Sequence, residues 1–326
     1  MSASTTPRIT VLGSLNIDLV CYVPHHPLPG ETLTASSFAV SPGGKGANQA
    51  VACAKLSVNR KTGTSAAKVY MVGSVGDDSY GDLLRTNLGR HGVVVEGGVA
   101  VKEGLKTGIA MIVVDEPTGQ NRIILSPEAN HSLRPDDFTV ERFDGSLGAG
   151  ADPDLLILQL EIPIETVLKV IETAKAKGVK VLLNPAPAVK LPDWVYDGLE
   201  HLVVNETEAA LLSGVEESVL DSEEGMEKVS RQFVEKGVRN VIITLGGRGV
   251  YYMSSAGAKG LVPAQKAKVV DTTAAGDTAV GQYALEAVQK GSFDIEAAVI
   301  KANRAGAKTV ERMGAQDSIP YGDELE

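Results

Sequence analysis

Short apolar runs recur along this 326-residue chain, and most end in a polar or glycine pair before a helical stretch. Ile9 to Leu15, Val69 to Gly73, Leu155 to Leu158, Val179 to Leu183, His201 to Val204 and Val241 to Leu245 each read as a buried strand. Helical patterns cover 48–56, 82–91 and 165–177, and another begins at Asn205. Strands alternating with helices specify a parallel sheet, because parallel neighbours need a crossover long enough to hold a helix. The expected fold is α/β: an open, mostly parallel central sheet flanked by helices. Ligands of such sheets gather beyond the carboxyl ends of the strands.

Two segments break that rhythm with β material. Leu19 to Val23 leads into a turn-rich break from Pro24 to Gly30, and Thr32 to Val40 alternates loosely. Later, Thr107 to Val114 and Asn121 to Leu125 flank a turn at 115–120. These read as a small inserted β-sheet, a lid over the site. The division is 1–18, 45–104 and 130–326 for the α/β domain, and 19–44 with 105–129 for the lid. His25 and His26 fall in the lid's turn without other ligands at zinc spacing, and read as solvated. Internal repeats are absent, and the only low-complexity stretch is the loop from Gly148 to Pro153.

Charge narrows the function classes. A net charge of -10 argues against a nucleic-acid or anionic-membrane surface, where Lys and Arg would predominate. Aromatics at 4% leave little for base stacking. An anionic ligand would have to be held by local backbone amides and a metal. Two cysteines, Cys21 and Cys53, fit a reducing cytosol. No apolar leader or bilayer-length run is found, so a cytoplasmic location is expected, with a nuclear one left open.

The richest stretch runs from Val269 to Thr278, read as a short strand ending at Val270, then Asp271-Thr-Thr-Ala-Ala-Gly-Asp277, then a helix to Val288. Small residues let bare backbone approach a ligand, and the helix start offers unsatisfied N–H groups to an anion. Asp277 repels the anion those amides attract. Either it caps the helix, or it is a base beside an anion hole, taking a proton from an attacking hydroxyl.

Ser41 to Ala50 is the second rich stretch, a glycine-dense turn entering a helix. Gly46 follows Lys45, so it is not a Walker A loop, which needs Ser or Thr there. Lys45 and Asn48 suit hydroxyl groups. Asn16 and Asp18, after the first strand, could face a polyhydroxylated ligand or simply be a polar strand end. Glu161, Asn184 and Asn205 also lie at strand ends.

Taken together, Gly43 to Ala50 and Asp271 to Gly281 resemble the two signatures of the ribokinase family of ATP-dependent sugar and nucleoside kinases, nearly end to end. Asn184-Pro-Ala-Pro-Ala188 and Asn205-Glu-Thr-Glu208 are most similar to its ribose-phosphorylating members. The resemblance implies transfer of phosphoryl from ATP to O5 of D-ribose, with Asp277 as base and amides of Ala274, Ala275, Gly276 and Asp277 as anion hole. Asn16, Asp18, Gly44, Lys45, Gly46, Asn48 and Glu161 would line the sugar pocket. Asn205, Thr244, Leu245, Gly246, Gly247, Arg248, Gly249, Gly276 and Asn303 would hold the nucleotide. Asn205 and Glu208 would place Mg²⁺ through waters. Asp271, Thr273, Thr309, Arg312, Gly314 and Ser318 would hold K⁺, mostly through carbonyls. The lid would pair with a second copy to make a homodimer.

One departure stands out. The family usually carries an aromatic after Gly-Asp-Thr, often followed by Asn, and here Ala279 and Val280 occupy those places. A fructose or nucleoside kinase of the same fold and a non-catalytic sugar sensor are the competing readings. A dehydrogenase lacks its nicotinamide fingerprint here.

Overall fold

The computed structural model describes residues 6–147 and 152–325. Residues 1–5, residues 148–151 of the Gly148 to Pro153 loop, and residue 326 lie outside the described residues. The chain begins with β1 (Arg8–Leu12), β2 (Asn16–Val23), β3 (Ser37–Gly43) and α1 (Lys45–Ser57). A two-residue hairpin, β4 (Val58–Asn59) with β5 (Thr64–Ser65), precedes β6 (Lys68–Gly76) and α2 (Ser79–Arg90). Then come β7 (Val99–Lys102), β8 (Gly108–Asp115), β9 (Asn121–Ser126) and a single turn, α3 (Phe143–Ser146). β10 (Leu155–Leu158), α4 (Ile164–Lys177), β11 (Val181–Leu183), β12 (His201–Asn205) and α5 (Glu206–Ser213) follow. The chain ends through α6 (Glu223–Glu235), β13 (Asn240–Thr244), β14 (Val250–Ser254), β15 (Lys259–Val262), α7 (Ala275–Ala287) and α8 (Ile295–Thr309).

Nine strands make the main sheet in the order β15-β14-β13-β12-β11-β10-β1-β6-β7. Every pairing from β13 to β7 is parallel, and β14 and β15 close one edge antiparallel. β1 is an interior strand, and Ile9, Val11 and Leu12 are wholly buried, as in a strand covered by helices on both faces. Its pleat sends Ile9 and Val11 into one apolar core with α1, α7 and α8. Leu12 goes into the other, with α4, α5 and α6.

The second sheet has four strands, β3-β2-β8-β9. β2 runs parallel to β8 and antiparallel to β3, and β8 is antiparallel to β9. The sequence places Asn16 and Asp18 after the first strand, outside the lid. In the structure β1 stops at Leu12, and both residues lie at the start of β2, an inner strand of the small sheet.

A second expectation fails outright. Val269 and Val270 belong to no strand; the segment after β15 crosses the surface with Val269 64% exposed. Val270 N–H bonds to the Val310 carbonyl at 2.7 Å, tying it to the end of α8 rather than to a sheet edge. The strands that occupy that edge, β14 and β15, are a hairpin the alternating pattern did not disclose.

Candidate active site

α1 and α7 touch one another closely. A β-carbon on Gly281 would fall 2.5 Å from Cβ of Ala52, so only glycine permits this spacing. One helical turn earlier, the same contact brings Asp277 of α7 against Asn48 and Gln49 of α1. Asn48 Nδ2 donates to Asp277 Oδ2 at 3.1 Å and Gln49 Nε2 donates to Oδ1 at 2.9 Å. The helix cap is Ala274, so Asp277 is not the capping residue. Its carboxylate is buried and held on both oxygens by side-chain amides.

Ala274 takes the left-handed conformation, φ 59°, which costs a non-glycine residue about 1–2 kcal/mol. Such strain gathers at functional sites. Ala275 N–H turns back to the Thr272 carbonyl at 3.3 Å. Helix geometry leaves the N–H groups of Gly276 and Asp277 without intrahelical acceptors.

Around this helix start lie two cavities that share Thr244, Thr272 and Gly276. The smaller, about 220 Å³, is lined by Lys45, Asn184, Asn205, Glu208, Ala274 and Asp277 among others. The larger, about 500 Å³, lies between the β13–β14 turn and α8, with Gly246, Gly247, Gly249, Ala279, Asn303 and Gly306 on its walls. Asn303 donates to the Pro263 carbonyl at 2.7 Å. Leu245 and Arg248, also expected around the nucleotide, are not on that wall. Leu245 is buried in the core, and Arg248 pairs with Glu206 and donates to the Leu220 carbonyl at 3.0 Å.

The glycine-dense turn packs against β2. Gly44 has φ 88°, and a β-carbon there would lie 2.8 Å from Asn16 N. Lys45 N–H and Ser14 Oγ both donate to Glu161 Oε2, at 3.0 and 2.5 Å. Asp18 is buried beside them. Burial above all, then the charges of Glu161 and Asp277, pushes its carboxyl up to about 7. Burial alone would lower Lys45, but Asp277, Glu161 and Glu208 outweigh it and hold the ammonium above its usual range. Asn205 and Glu208 form a capping box on α5: Glu208 N–H donates to Asn205 Oδ1 at 2.8 Å, and Asn205 N–H to Glu208 Oε2 at 2.9 Å. Burial raises Glu208, partly offset by the Asn205 N–H and Lys45.

Asp271 accepts from Thr273 N–H and Oγ1 at 2.9 and 2.7 Å, and from Gly314 N–H at 2.9 Å. That draws three of the expected cation residues together. Thr309 and Ser318 spend their hydroxyls on the Ala305 and Ala315 carbonyls, and Arg312 pairs with Glu324. Among the described residues no cluster of three or more His, Cys, Asp or Glu could hold a metal directly.

Several residues at the site went unassigned in the sequence. Gln49 stands beside Asn48 in the same signature yet was not singled out. Asn130 accepts from Leu15 N–H at 2.8 Å and donates to Asn16 Oδ1 at 2.8 Å, orienting Asn16 from 114 residues away. No local pattern marks such a partner.

A deep carboxylate beside free helix N–H groups, between a polar chamber and a longer cleft, defines a phosphoryl-transfer enzyme acting on a hydroxyl. Over residues 6–321 the chain matches the pfkB family of carbohydrate kinases, and it belongs to that family. It is 42% identical over 316 residues to the ribokinase of Schizosaccharomyces pombe, covering 96% of this chain and 95% of that protein. It is similar in structure to the ribokinase of Thermotoga maritima, with a TM-score of 0.81, 39% identity and 97% of each chain covered. The Arabidopsis thaliana ribokinase complexed with ribose and ATP matches with a TM-score of 0.83 at 29% identity, over 98% of each chain.

Proposed function

We propose that this protein transfers the terminal phosphoryl group of ATP to O5 of D-ribose, giving D-ribose 5-phosphate and ADP. The observation that carries the proposal is Asp277, fixed by two amides where the two cavities meet and adjoining the free N–H groups of Gly276 and itself. Similarity to ribokinases over almost the whole chain supports ribose as the sugar.

The sugar lies against Asn16, Asp18, Lys45 and Glu161, and Asp18 ionises as it accepts from sugar hydroxyls. Asp277 takes the O5 proton. A carboxylate is a weak base for an alcohol, which a loose phosphoryl-transfer transition state with late proton removal tolerates. The Gly276 and Asp277 N–H groups meet the charge on the moving phosphoryl, and Lys45 adds positive field. The nucleotide occupies the larger cleft, with Asn303 at its far end.

Mg²⁺ fits this chamber, since it takes one or two carboxylates plus phosphates and keeps several waters. Glu208 and Asn205 line the chamber and would hold it through water, where it neutralises phosphate charge. K⁺ fits carbonyls of the Asp271–Thr273 and 309–318 segments that the Asp271–Gly314 hydrogen bond brings together.

The small sheet serves as a lid and as the contact for a homodimer. Val40, Leu19, Met111 and Ile124 form one cross-strand row, with Val40 45%, Met111 44% and Ile124 63% exposed. An apolar face of this kind is characteristic of a surface that another chain covers. Among the described residues no helix is long and apolar enough to cross a membrane, and a cytoplasmic location fits the composition.

A coupled assay with ribose and Mg-ATP, run with K⁺ and then Na⁺ as the sole alkali ion, tests the reading. Ribose-dependent ADP formation stimulated by K⁺ is expected. Faster phosphorylation of adenosine or fructose would reassign the substrate, and no sugar-dependent turnover would favour a sensor.

A further inference from the structure

The buried amides around Asp277 are ordered head to tail. An ionised carboxylate only accepts, so Asn48 must present its NH₂ to Asp277 and turn its oxygen away. That oxygen accepts from Gln316 Nε2 at 3.0 Å. Gln316 must then turn its own oxygen outward, where Asn87 Nδ2 donates to it at 2.6 Å. Gln316 is 3% exposed, and its backbone carbonyl is held by the buried Lys55 ammonium at 3.1 Å. The other carboxylate oxygen heads a parallel chain: Gln49 donates to Asp277, and Gln159 Nε2 donates to Gln49 Oε1 at 2.6 Å. That chain ends with Gln159 Oε1 buried and without a partner. The polarity imposed from Asp277 thus persists even where it strands an acceptor.

We infer that Gln316, in the turn after α8, is a positioning residue that fixes the amide of Asn48 and thereby the orientation of Asp277 as base. Without the Gln316 donor, Asn48 Oδ1 is left unpaired in the core and the amide is fixed only from its Asp277 end. Asn48 then swings towards another donor for that oxygen, and its bond to Asp277 lengthens and weakens. The relay spans three elements: Asn87 on α2, Gln316 on the C-terminal turn and Asn48 on α1.

The inference rests on Asp277 being the base of the proposed kinase, so the test carries one readout that needs no turnover. In Gln316→Met, kcat with ribose should fall about tenfold with KM for ATP unchanged, as expected for a misplaced catalytic group. The ¹³C chemical shift of the Asp277 carboxyl at neutral pH should move away from its wild-type value, because one of its two donors is disturbed. Asn87→Ala, at the half-buried head of the relay, should act in the same direction but less, and should add nothing in the Gln316→Met background. An unmoved Asp277 carboxyl resonance, or an Asn87→Ala effect equal in both backgrounds, overturns the relay. A wild type inactive on every sugar, with the change in the carboxyl resonance still present, overturns the kinase reading and leaves the relay standing.

Discussion

The carboxylate of Asp18 lies where a side chain on Gly43 would be. A β-carbon there would come 2.2 Å from Oδ2 and 2.3 Å from both Cγ and Oδ1. The two residues face one another across the small sheet, Asp18 pairing with Ser41 and Asn16 with Gly43. Gly43→Ala should therefore displace Asp18 rather than unfold the protein. The expected result is a rise in KM for ribose on the order of a hundredfold, from losing a buried carboxylate–hydroxyl pairing. Melting temperature should change little, and an unchanged KM would remove Asp18 from the sugar site.

Asp277→Asn removes the proposed base but keeps the volume. Turnover should drop by about 10²–10⁴-fold, the usual contribution of general base catalysis. Ribose binding, measured by calorimetry, should persist. Because Asn48 and Gln49 both offer donors to this position, the new amide also sets one donor against another. Near-wild-type kcat would refute the assignment.

Stability and binding should move oppositely with pH through Asp18. Its folded pKa, near 7, lies above the unfolded value near 4, so between those values the native state holds the extra proton. This group's contribution to stability is complete below about pH 4 and is lost as pH rises towards 7. Sugar hydroxyls favour the ionised form. Ribose should therefore bind more tightly at pH 8 than at pH 6, releasing a proton near pH 6.5. Calorimetry in buffers of different ionisation enthalpy measures that proton, and none released would contradict the burial argument.

Ala279 lines the larger cleft proposed for the nucleotide and packs against the apolar core. A β-carbon on Gly306 opposite would stand 3.9 Å from its own, already in ordinary contact. A phenyl ring at 279 therefore has to project into the cleft. Ala279→Phe should raise KM for ATP by about tenfold, the scale of crowding a packed site, with KM for ribose unchanged. An ATP titration by calorimetry checks it, and unaltered nucleotide affinity would place the nucleotide away from Ala279.

Ile124→Lys places a charge at the β9 end of the row on the small sheet, at its most exposed residue. The expected outcome, by light scattering or sedimentation, is conversion of a dimer to a monomer. A wild type that is already monomeric at high concentration rejects the lid as the dimer contact.

What could be read from residues alone followed from local chemistry. Strand ends, the glycine turn and Asp277 are consecutive patterns, and the structure brings Lys45, Asn48, Glu208 and Asp277 to one site. Extents were less legible: β1 ends at Leu12, where the chain turns towards the small sheet and resumes as β2 at Asn16. Val269 and Val270 have strand-forming side chains but no strand beside them. Gln316, Asn130 and Gln159 were invisible because their partners lie 268, 114 and 110 residues away. A hydrogen bond across such separations leaves no periodic trace.

Only Gly13, Ser14 and Leu15 separate β1, an interior strand of the main sheet, from β2, an inner strand of the small one. Three residues are too few to act as a slack hinge, and Asn130 clamps Leu15 through both its amide N–H and its carbonyl. Any tilt of the small sheet as a rigid paddle must swing Asn16 and Asp18 along with it. On the proposed reading, grasping the pentose and shutting out water are then one mechanical act, and a sugar too short to reach both residues leaves the door ajar.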